Sequence, residues 1–293
     1  MFSDSIPLIA SRCHEVGDPV HLLCYFAPEV DEEFTSAGLE PGHMGYFAGR
    51  AAPLGRASSA AVAAAFFNFN PALIARHLPR AWDLAPPERV TQARLTAVDR
   101  ALRRVLGEET VRGPEVAEAA RLARTAAEAC APEGRPLYAA HAELDWPREP
   151  HLVLWHALTL LREYRGDGHI AALVGHGVGA IAALITDTAT GQSLFTAEQV
   201  RLHRDWSTAA WEAETAALTE AGVLDTTGHL SEEGKRLRSR IEAATDAAAA
   251  APYRALGAER AERLIALCAP LRDAVAASGE LPSHDTADEP VQG

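Results

Sequence analysis

The sequence predicts a mainly α-helical protein: a helical N-terminal domain and a helical C-terminal domain that ends in a winged helix-turn-helix module. Apolar residues recur at helical spacing along most of the chain, and segments of alternating polarity are nearly absent. The C-terminal part contains a short helix, a second helix, a Gly-Val-Leu exit, a glycine-containing turn and a long helix, which is the order of such a module. A chain of 293 residues, 48% of them hydrophobic, is long enough for two domains.

The predicted domain boundary is the segment 107–136, in which a connecting helix is flanked by glycine and proline. The N-terminal helical domain then covers 1–106 and the C-terminal domain covers 137–278. The winged-helix-like module occupies about 196–250 of the second domain. Residues 279–293 are polar and acidic, and they are predicted to form a disordered tail.

Capping residues predict where individual helices begin. Thr196 and Gln199 form the pattern of a capping box for the first helix of the module, and Ser207 caps the second. An apolar helix over 150–164 is followed by an Arg-Gly-Asp-Gly segment that is typical of a turn. In this interpretation Asp167 caps the helix that follows the turn.

The charges of the module argue against DNA binding. The chain has 40 acidic and 27 basic residues and a net charge of −13. The helix that would enter the major groove carries Glu212, Glu214 and Glu220 and no lysine or arginine. The wing, 225–229, has one acid and one histidine. Because affinity for DNA comes mainly from cations that neutralise phosphates, the sequence predicts a module that no longer binds nucleic acid.

The cysteines and the N-terminus indicate a cytoplasmic protein. The four cysteines show neither a Cys-x-x-Cys pattern nor metal-ligand spacing with histidine, so reduced thiols and no metal site are expected. The chain lacks a basic-then-apolar signal segment, and no apolar run reaches the length of a membrane span. We therefore expect no membrane partner.

The densest group of polar residues lies at 162–169 and predicts a ligand or catalytic site. In the functional interpretation, His169 is the titrating group of acid–base catalysis, Glu163 or Asp167 orients its imidazole, and Arg165 holds an anionic group. The alternative is a helix end with a capping aspartate and a structural ion pair between arginine and a carboxylate.

A second group of candidate ligand-binding residues lies in the N-terminal part of the chain. His21 and Tyr25 are one helical turn apart, Arg50 stands among small residues, and Asn68 and Asn70 lie among aromatic residues. Each has a structural alternative: a core histidine, an inter-domain salt bridge, or caps of helices. Together with the first group they predict a small-molecule site in the cleft between the domains. Isolated histidines are compatible with haem ligation without indicating it, so the cofactor is unknown.

The strings HLLCYFAPEV, GYFAGRAAPLG and REYRGDGHIAAL carry a family resemblance that covers about 10–275. The chain resembles an actinobacterial helix-turn-helix family with a MarR-like winged-helix C-terminal module, whose function is poorly defined. The resemblance implies a helical protein with a winged-helix-like C-terminal domain and long C-terminal helices of the kind through which such regulators dimerise. The family pattern has a histidine where this chain has Asn70, which counts against an acid–base role there.

Two functions from different classes follow. The first is a small-molecule-binding protein, either a simple binder or an enzyme of specialised metabolism, in which the winged helix is only scaffold. The alternative is a ligand-responsive transcriptional regulator of the MarR type, which needs cations from the helices that flank the recognition helix. A protein–protein interaction module that forms a homodimer is the third possibility. Fold does not decide among them.

Overall fold

The computed structural model describes residues 6–193 and 195–282. Most of the tail predicted at 279–293 therefore lies outside the described residues. About three quarters of the chain is helical, and the described part contains no β-strand. The mainly α-helical fold class that the sequence predicts is confirmed.

Short turns connect the helices, and proline opens several of them because its missing N–H would be unpaired in a first helical turn. A 3-10 turn, Ala52–Leu54, follows the third helix. The helices are α1 (Ile6–Phe26), α2 (Pro28–Ala37), α3 (His43–Ala51), α4 (Ser59–Phe66), α5 (Pro71–His77), α6 (Arg80–Leu84), α7 (Pro87–Leu106), α8 (Glu108–Val111), α9 (Pro114–Ala127), α10 (Pro136–Ala142), α11 (Pro150–Gly175), α12 (Ala180–Thr188), α13 (Ala197–His203), α14 (Thr208–Glu220), α15 (Glu232–Ala249), α16 (Ala251–Leu256) and α17 (Ala258–Ala277).

Two hydrophobic clusters hold these helices together. The larger cluster contains residues of α1, α2, α3, α7, α9, the first part of α11, and α17. The smaller cluster lies between the end of α11, α12, α14 and α15, around Leu173, Ile185 and Ile241. The clusters do not separate at the predicted connecting segment 107–136, because α9 inside that segment is buried in the larger cluster. The domain limits stay a prediction.

The capping residues predicted for the helix-turn-helix segment are confirmed. The Thr196 hydroxyl accepts the N–H of Gln199 at 3.2 Å, and the Gln199 side chain accepts the N–H of Thr196 at 2.8 Å. Ser207 caps α14 by accepting the N–H of Ala210 at 3.1 Å. Both caps satisfy N–H groups that have no partner inside the helix. They fix where α13 and α14 begin.

The Arg-Gly-Asp-Gly segment is not a turn, which corrects the sequence-based prediction. It lies inside α11, which continues without a break to Gly175. A Cβ on Gly168 would lie 2.7 Å from Nη1 of Arg135 and 3.2 Å from Cβ of Ala248. Arg135 crosses the helix here and donates hydrogen bonds to the carbonyls of Tyr164 and Ala248. The glycine is therefore needed for a close approach and not for a turn.

Asp167 caps a different helix from the one predicted. Its carboxylate accepts the backbone N–H groups of Leu137 and Tyr138, each at 3.0 Å, at the start of α10. The side chain is buried, and burial raises the pKa of Asp167 to about 6. Asp167 thus joins α11 to α10 in the larger cluster.

The loop between α14 and α15 occupies the position of the predicted wing. It is closed by one antiparallel bridge between Leu224 and Leu230. The Asp225 carboxylate accepts the N–H groups of Thr227 at 2.8 Å and His229 at 3.1 Å, which tightens the turn. One bridge is the smallest amount of β-pairing that a wing can have, and the MarR-like winged-helix subtype stays a prediction.

Gly234 fits this loop against the first turn of α15. A Cβ at this position would lie 2.2 Å from the carbonyl oxygen of Val223, which is backbone and has little freedom to move. We expect Gly234→Ala to lower the free energy of unfolding by about 1–3 kcal/mol, the usual range for overpacking. Chemical denaturation measures the change. Gly175→Ala is the control, because nothing lies within 4 Å of its Cβ; equal stability of the two variants would contradict this role of Gly234.

None of the single helices in the described ranges has the length and apolar composition of a membrane span; α11 and α12 meet that criterion only together, as a pair bent by 102°.

Candidate functional site

Two cavities meet between the N-terminal helices and the helix-turn-helix segment. The first, here called the aromatic cavity, has a volume of about 350 Å³ and lies between α1, α2, α3 and α13. The second, here called the polar cavity, has a volume of about 430 Å³ and lies between α1, α11, α12 and α15. Tyr46, Arg162 and Arg204 line both cavities and stand at their junction. Both volumes are in the range of small-molecule sites.

The walls of the two cavities differ in character. Aromatic rings dominate the first, and ionisable or hydroxyl groups dominate the second. The aromatic cavity is lined by Tyr25, Phe26, Phe34, Tyr46 and Phe195, together with Arg94, Arg162 and Arg204. The polar cavity is lined by His14, Asp18, Arg50, Asn68, Arg165, His169, Asp187, Arg238, Glu242 and Thr245, among others.

Helix α13, the first helix of the helix-turn-helix segment, forms one wall of the aromatic cavity. Val200, His203 and Arg204 face the cavity, yet no residue of α13 is fully buried. Polar contacts hold the end of the helix in place. Asn70 donates to the carbonyls of Arg204 at 3.0 Å and Asp205 at 2.7 Å. The structural alternative for Asn70 is therefore the observed one, since its carboxamide oxygen also caps α5.

Three further contacts attach the turn after α13 to the N-terminal helices. Trp206 donates its indole N–H to the carbonyl of Asn68 at 3.0 Å, and His43 donates from Nε2 to the carbonyl of His203 at 3.0 Å. Arg76 pairs with Asp205 at 2.9 Å. Because these contacts are polar and α13 contributes no buried side chain, this wall is attached less firmly than the core helices.

Glu163 is the centre of a buried ion cluster behind the junction of the cavities. Its carboxylate accepts from Nε and Nη2 of Arg50 at 3.0 and 2.7 Å, and from Nη1 of Arg162 at 3.0 Å. Although burial favours the neutral acid, the guanidinium groups of Arg50 and Arg162 hold the pKa of Glu163 well below its ordinary value. Glu163 is fully buried in this cluster, and the hydrogen-bond partner of Nδ1 of His169 is Thr245 and not Glu163.

Arg94 and Arg204 differ from this pair because neither forms an ion pair with any carboxylate in the described ranges. Arg94 is buried and donates to Nε2 of His141 at 3.1 Å and to Sγ of Cys24 at 3.2 Å. Burial lowers the pKa of His141 to about 3, so this partner is neutral. Arg204 lies over the ring of Phe69 at 3.8 Å and hydrogen-bonds Tyr46.

His21 fixes the hydroxyl of Tyr25 at the cavity wall. The Thr159 hydroxyl donates its hydrogen to the carbonyl of Trp155 at 2.9 Å, so it accepts from Nδ1 of His21 at 2.9 Å. Nε2 of His21 is then unprotonated and accepts the hydroxyl of Tyr25 at 3.3 Å. Burial keeps the pKa of His21 well below its ordinary value, which maintains the neutral form. Tyr25 faces the cavity, whereas His21 lies behind it.

His169 faces the polar cavity, and Thr245 rather than a carboxylate orients it. The Thr245 hydroxyl donates to the carbonyl of Ile241 at 2.8 Å and therefore accepts from Nδ1 of His169 at 2.9 Å. Nε2 is left as an unprotonated acceptor. Burial lowers the pKa of His169 to about 4, so the imidazole is neutral at neutral pH. The predicted orientation by Glu163 or Asp167 is wrong.

This geometry predicts the titration of His169. We expect nitrogen chemical shifts of the Nδ1–H tautomer and an apparent pKa near 4, below the ordinary 6.5. A lowered pKa means that the folded state binds fewer protons than the unfolded chain between these values, so its contribution to stability is lost as the pH falls from 6.5 to 4. In Thr245→Val the tautomer is no longer fixed. A His169 that titrates at its ordinary pKa, or that carries the proton on Nε2, would contradict the assignment.

The remaining predicted ligand residues divide between the cavity wall and the scaffold. Asn68 and Arg165 line the polar cavity, although Arg165 is paired with Asp246 at 2.7 Å. Arg50 also lines this cavity, in its pair with Glu163. The sequence did not predict the roles of Tyr46, Arg94, Arg162 and Arg204. Tyr46 had a usable signal, since it stands four residues before Arg50 in the same glycine-rich string.

The helix-turn-helix segment offers few unpaired cations to a phosphate backbone. Residues 196–250 contain ten acidic and six basic residues. The basic residues of α15 are each paired with an acid: Lys235 with Glu232 at 2.8 Å, Arg236 with Glu233 at 3.0 Å, Arg238 with Glu242 at 3.1 Å and Arg240 with Glu233 at 2.9 Å. A DNA-binding surface normally gathers unpaired basic residues on one face.

Helices α12 to α15, with the capped turn between α13 and α14, define an all-α protein that carries a helix-turn-helix module. The chain belongs to the Helix-turn-helix family, whose model matches residues 10–282. No curated protein and no solved structure matches the chain. The predicted membership in a helix-turn-helix family is confirmed, and the module is of the type that other proteins use to bind DNA. The MarR-like and actinobacterial assignments stay predictions.

Proposed function

We propose that this protein binds a small molecule in the aromatic cavity and that its helix-turn-helix module acts as a wall of this site instead of a DNA reader. The observation that carries the proposal is the aromatic cavity itself: about 350 Å³ lined by five aromatic rings and by two guanidinium groups that pair with no carboxylate among the described residues. Apolar walls with a few convergent polar groups are typical of small-molecule sites.

A catalytic form of this proposal uses the polar cavity. Nε2 of His169 is an unprotonated acceptor at the cavity wall, and the low pKa keeps this imidazole neutral at neutral pH, so that Nε2 can accept a proton as a weak base but has none to donate. A ligand at the junction would contact Tyr46 and extend toward His169. An enzyme of specialised metabolism with acid–base chemistry is therefore the catalytic version, and His169→Ala would abolish turnover while leaving binding in the aromatic cavity intact.

The binding experiment is a fluorescence titration with phenylnaphthylamine, a neutral aromatic probe that brightens in apolar sites. We expect saturable binding to the wild type. Val200→Trp fills the cavity from the α13 wall and is expected to weaken binding by at least about tenfold, equivalent to 1.4 kcal/mol. Leu202→Trp is the matched control, since Leu202 lies on the same helix but is 59% exposed and outside the cavity. Absence of saturable binding, or equal affinities of the two variants, would overturn the proposal.

A MarR-type ligand-responsive regulator is the second candidate, because the chain belongs to a helix-turn-helix family. DNA binding requires that the arginines of α15 leave their acidic partners, and Glu212, Glu214 and Glu220 of α14 would face the phosphates. Fluorescence anisotropy with DNA from the protein's own gene neighbourhood, at low and moderate salt, separates the candidates. We expect no sequence-selective binding, and tight selective binding would favour the regulator.

A homodimer through the C-terminal helices is also proposed, with α15 and not α17 as the main interface helix. Helix α17 packs against α1 and α9 within the larger cluster, so α15 has more surface to offer a second copy. Light scattering at several protein concentrations tests this. A monomer at all concentrations would exclude the dimer and leave the binding site unaffected.

A further inference from the structure

We infer that the ligand of the aromatic cavity is an organic anion, with an apolar body against the aromatic rings and an acidic group held by Arg94 and Arg204. The inference rests on the proposed function and specifies the chemical class of its ligand. It follows from the balance of charge around the cavity junction, from the lack of a partner at one nitrogen of Arg94, and from the apolar lining.

The balance of charge leaves two cations without an acid. Six guanidinium groups line the two cavities, and two of them are paired with acids of α15, Arg165 with Asp246 at 2.7 Å and Arg238 with Glu242 at 3.1 Å. The other four belong to Arg50, Arg94, Arg162 and Arg204. Glu163 is shared by Arg50 and Arg162, as its distances of 2.7 and 3.0 Å show. The only other acid in contact is Asp18, 3.5 Å from Nε of Arg162 within the described part of the chain. Both acids are thus used by the same two arginines.

Of the two remaining cations, Arg94 has the greater need of a counter-ion, because it is only 3% exposed. Its two terminal nitrogens donate to the neutral acceptors His141 and Cys24, while its Nε–H has no hydrogen-bond partner within residues 6–193 and 195–282. Burying a charge without a counter-ion is expensive, and so is burying an unpaired N–H. A bound acid would supply the missing counter-ion to the guanidinium from the cavity side.

Arg204 approaches the same cavity from the other wall. It follows α13 and stacks on Phe69 at 3.8 Å, so its position depends on the docking of the helix-turn-helix segment. Burial, together with the like charges of Arg50 and Arg162, lowers the pKa of Arg204 even though Tyr46 opposes the change. An anion between Arg204 and Arg94 would relieve this repulsion and would link the N-terminal helices to α13.

The lining selects an organic acid over an inorganic ion. Most of the cavity wall is aromatic, and inorganic phosphate would leave the space beside these rings unfilled. The rings belong to Tyr25, Phe34, Tyr46 and Phe195. Asp31 is the acid that also lines this cavity, but it is exposed and pairs with neither arginine in the part of the chain that the structure describes. The acidic group would therefore lie at the arginine end, and the apolar body toward α2 and α3.

The test compares two probes with the same aromatic body. Anilinonaphthalenesulfonate is phenylnaphthylamine with one added sulfonate, so the difference in their affinities reports on the acidic group alone. We expect the sulfonate to bind the wild type at least about tenfold more tightly, equivalent to 1.4 kcal/mol. This preference is expected to shrink with added salt. Arg204→Gln and Arg94→Gln should each reduce the affinity for the sulfonate and leave that for phenylnaphthylamine nearly unchanged.

Each outcome separates the inference from the proposed function. Arg236→Gln is the control, because Arg236 is exposed and lies outside both cavities. Equal binding of both probes to the wild type would overturn the anion and leave the small-molecule site standing. A preference that survives both Arg204→Gln and Arg94→Gln would also overturn it. If phenylnaphthylamine does not bind, the proposed function falls and the inference with it. Arg204 is only partly buried, so its variant serves if Arg94→Gln does not fold.

Discussion

Glu163→Gln is expected to lower the free energy of unfolding by about 3–5 kcal/mol, the range for breaking a buried ion pair. Glu163 is fully buried, and it is the acid shared by the guanidinium groups of Arg50 and Arg162. Glutamine keeps the shape but removes the charge, so the buried guanidinium of Arg50 loses its counter-ion, and the partly exposed Arg162 keeps only Asp18. Denaturation with urea, monitored by circular dichroism, measures the loss.

The control for Glu163 is a similar pair on the surface. Glu118 accepts from Arg263 at 3.0 and 2.6 Å, but both side chains are accessible to solvent. Exposed ion pairs contribute little because water already solvates their charges. Glu118→Gln should leave the stability nearly unchanged. A loss for Glu163→Gln no larger than that of Glu118→Gln would show that the buried cluster does not hold α3 to α11.

Two glycines of α11 are expected to respond to alanine in opposite directions. Gly168→Ala should lower the free energy of unfolding by about 1–3 kcal/mol, because its Cβ would lie 3.2 Å from Cβ of Ala248 and would push the guanidinium of Arg135 away from the two carbonyls to which it donates. Gly166→Ala should raise it by about 0.5–1 kcal/mol, since alanine favours a helix interior more than glycine. The nearest atom to a Cβ at Gly166 is Oε2 of Glu163, at 3.9 Å, so there is room.

The same urea denaturation measures both variants, and each serves as the control for the other. They differ in what surrounds the new methyl group, while helix, residue type and substitution are the same. If the segment were a turn, neither alanine would be favoured. Destabilisation of similar size in both variants would therefore contradict a continuous α11.

The sequence predicted helices well where the signal was local. The capping box at Thr196 and the cap at Ser207 are formed by residues within four positions of each other, so their side chains and the backbone they satisfy are both visible in the sequence. Prediction failed at Gly168, where the residue that requires glycine is Arg135, more than thirty positions away. A glycine that makes room for a distant side chain resembles a glycine that makes a turn.

The candidate site was predicted only in part, because the sequence shows local patterns but not contacts between distant residues. Polar strings identified the helices that line the cavities, and Tyr25, Arg50 and His169 are on their walls. The partners of these residues were not predictable, because they lie far away in the sequence: His169 is on α11, and its partner Thr245 is on α15. Arg94 lies on a helix of alternating charge, a pattern that usually indicates a solvated face, and only the packing of α1, α10 and α11 shows that it is buried.

The packing indicates a role for the helix-turn-helix segment, as a wall of the aromatic cavity, that could not be inferred from the charges of the segment. Helix α13 has no buried residue of its own, yet it closes one side of the aromatic cavity and presents Arg204 to it. A ligand in this cavity would add contacts to a helix that is otherwise held by hydrogen bonds at its end. Binding and the position of the module are coupled in this account.

Hydrogen exchange of the full chain, with and without saturating phenylnaphthylamine, tests the central claim most directly. The account predicts slower exchange on binding in α13 and in the cavity-facing parts of α1 and α3. It predicts no change in α14, whose residues are almost all accessible to solvent and outside both cavities. Slower exchange in α14 with none in α13 would contradict a small-molecule site walled by the helix-turn-helix module.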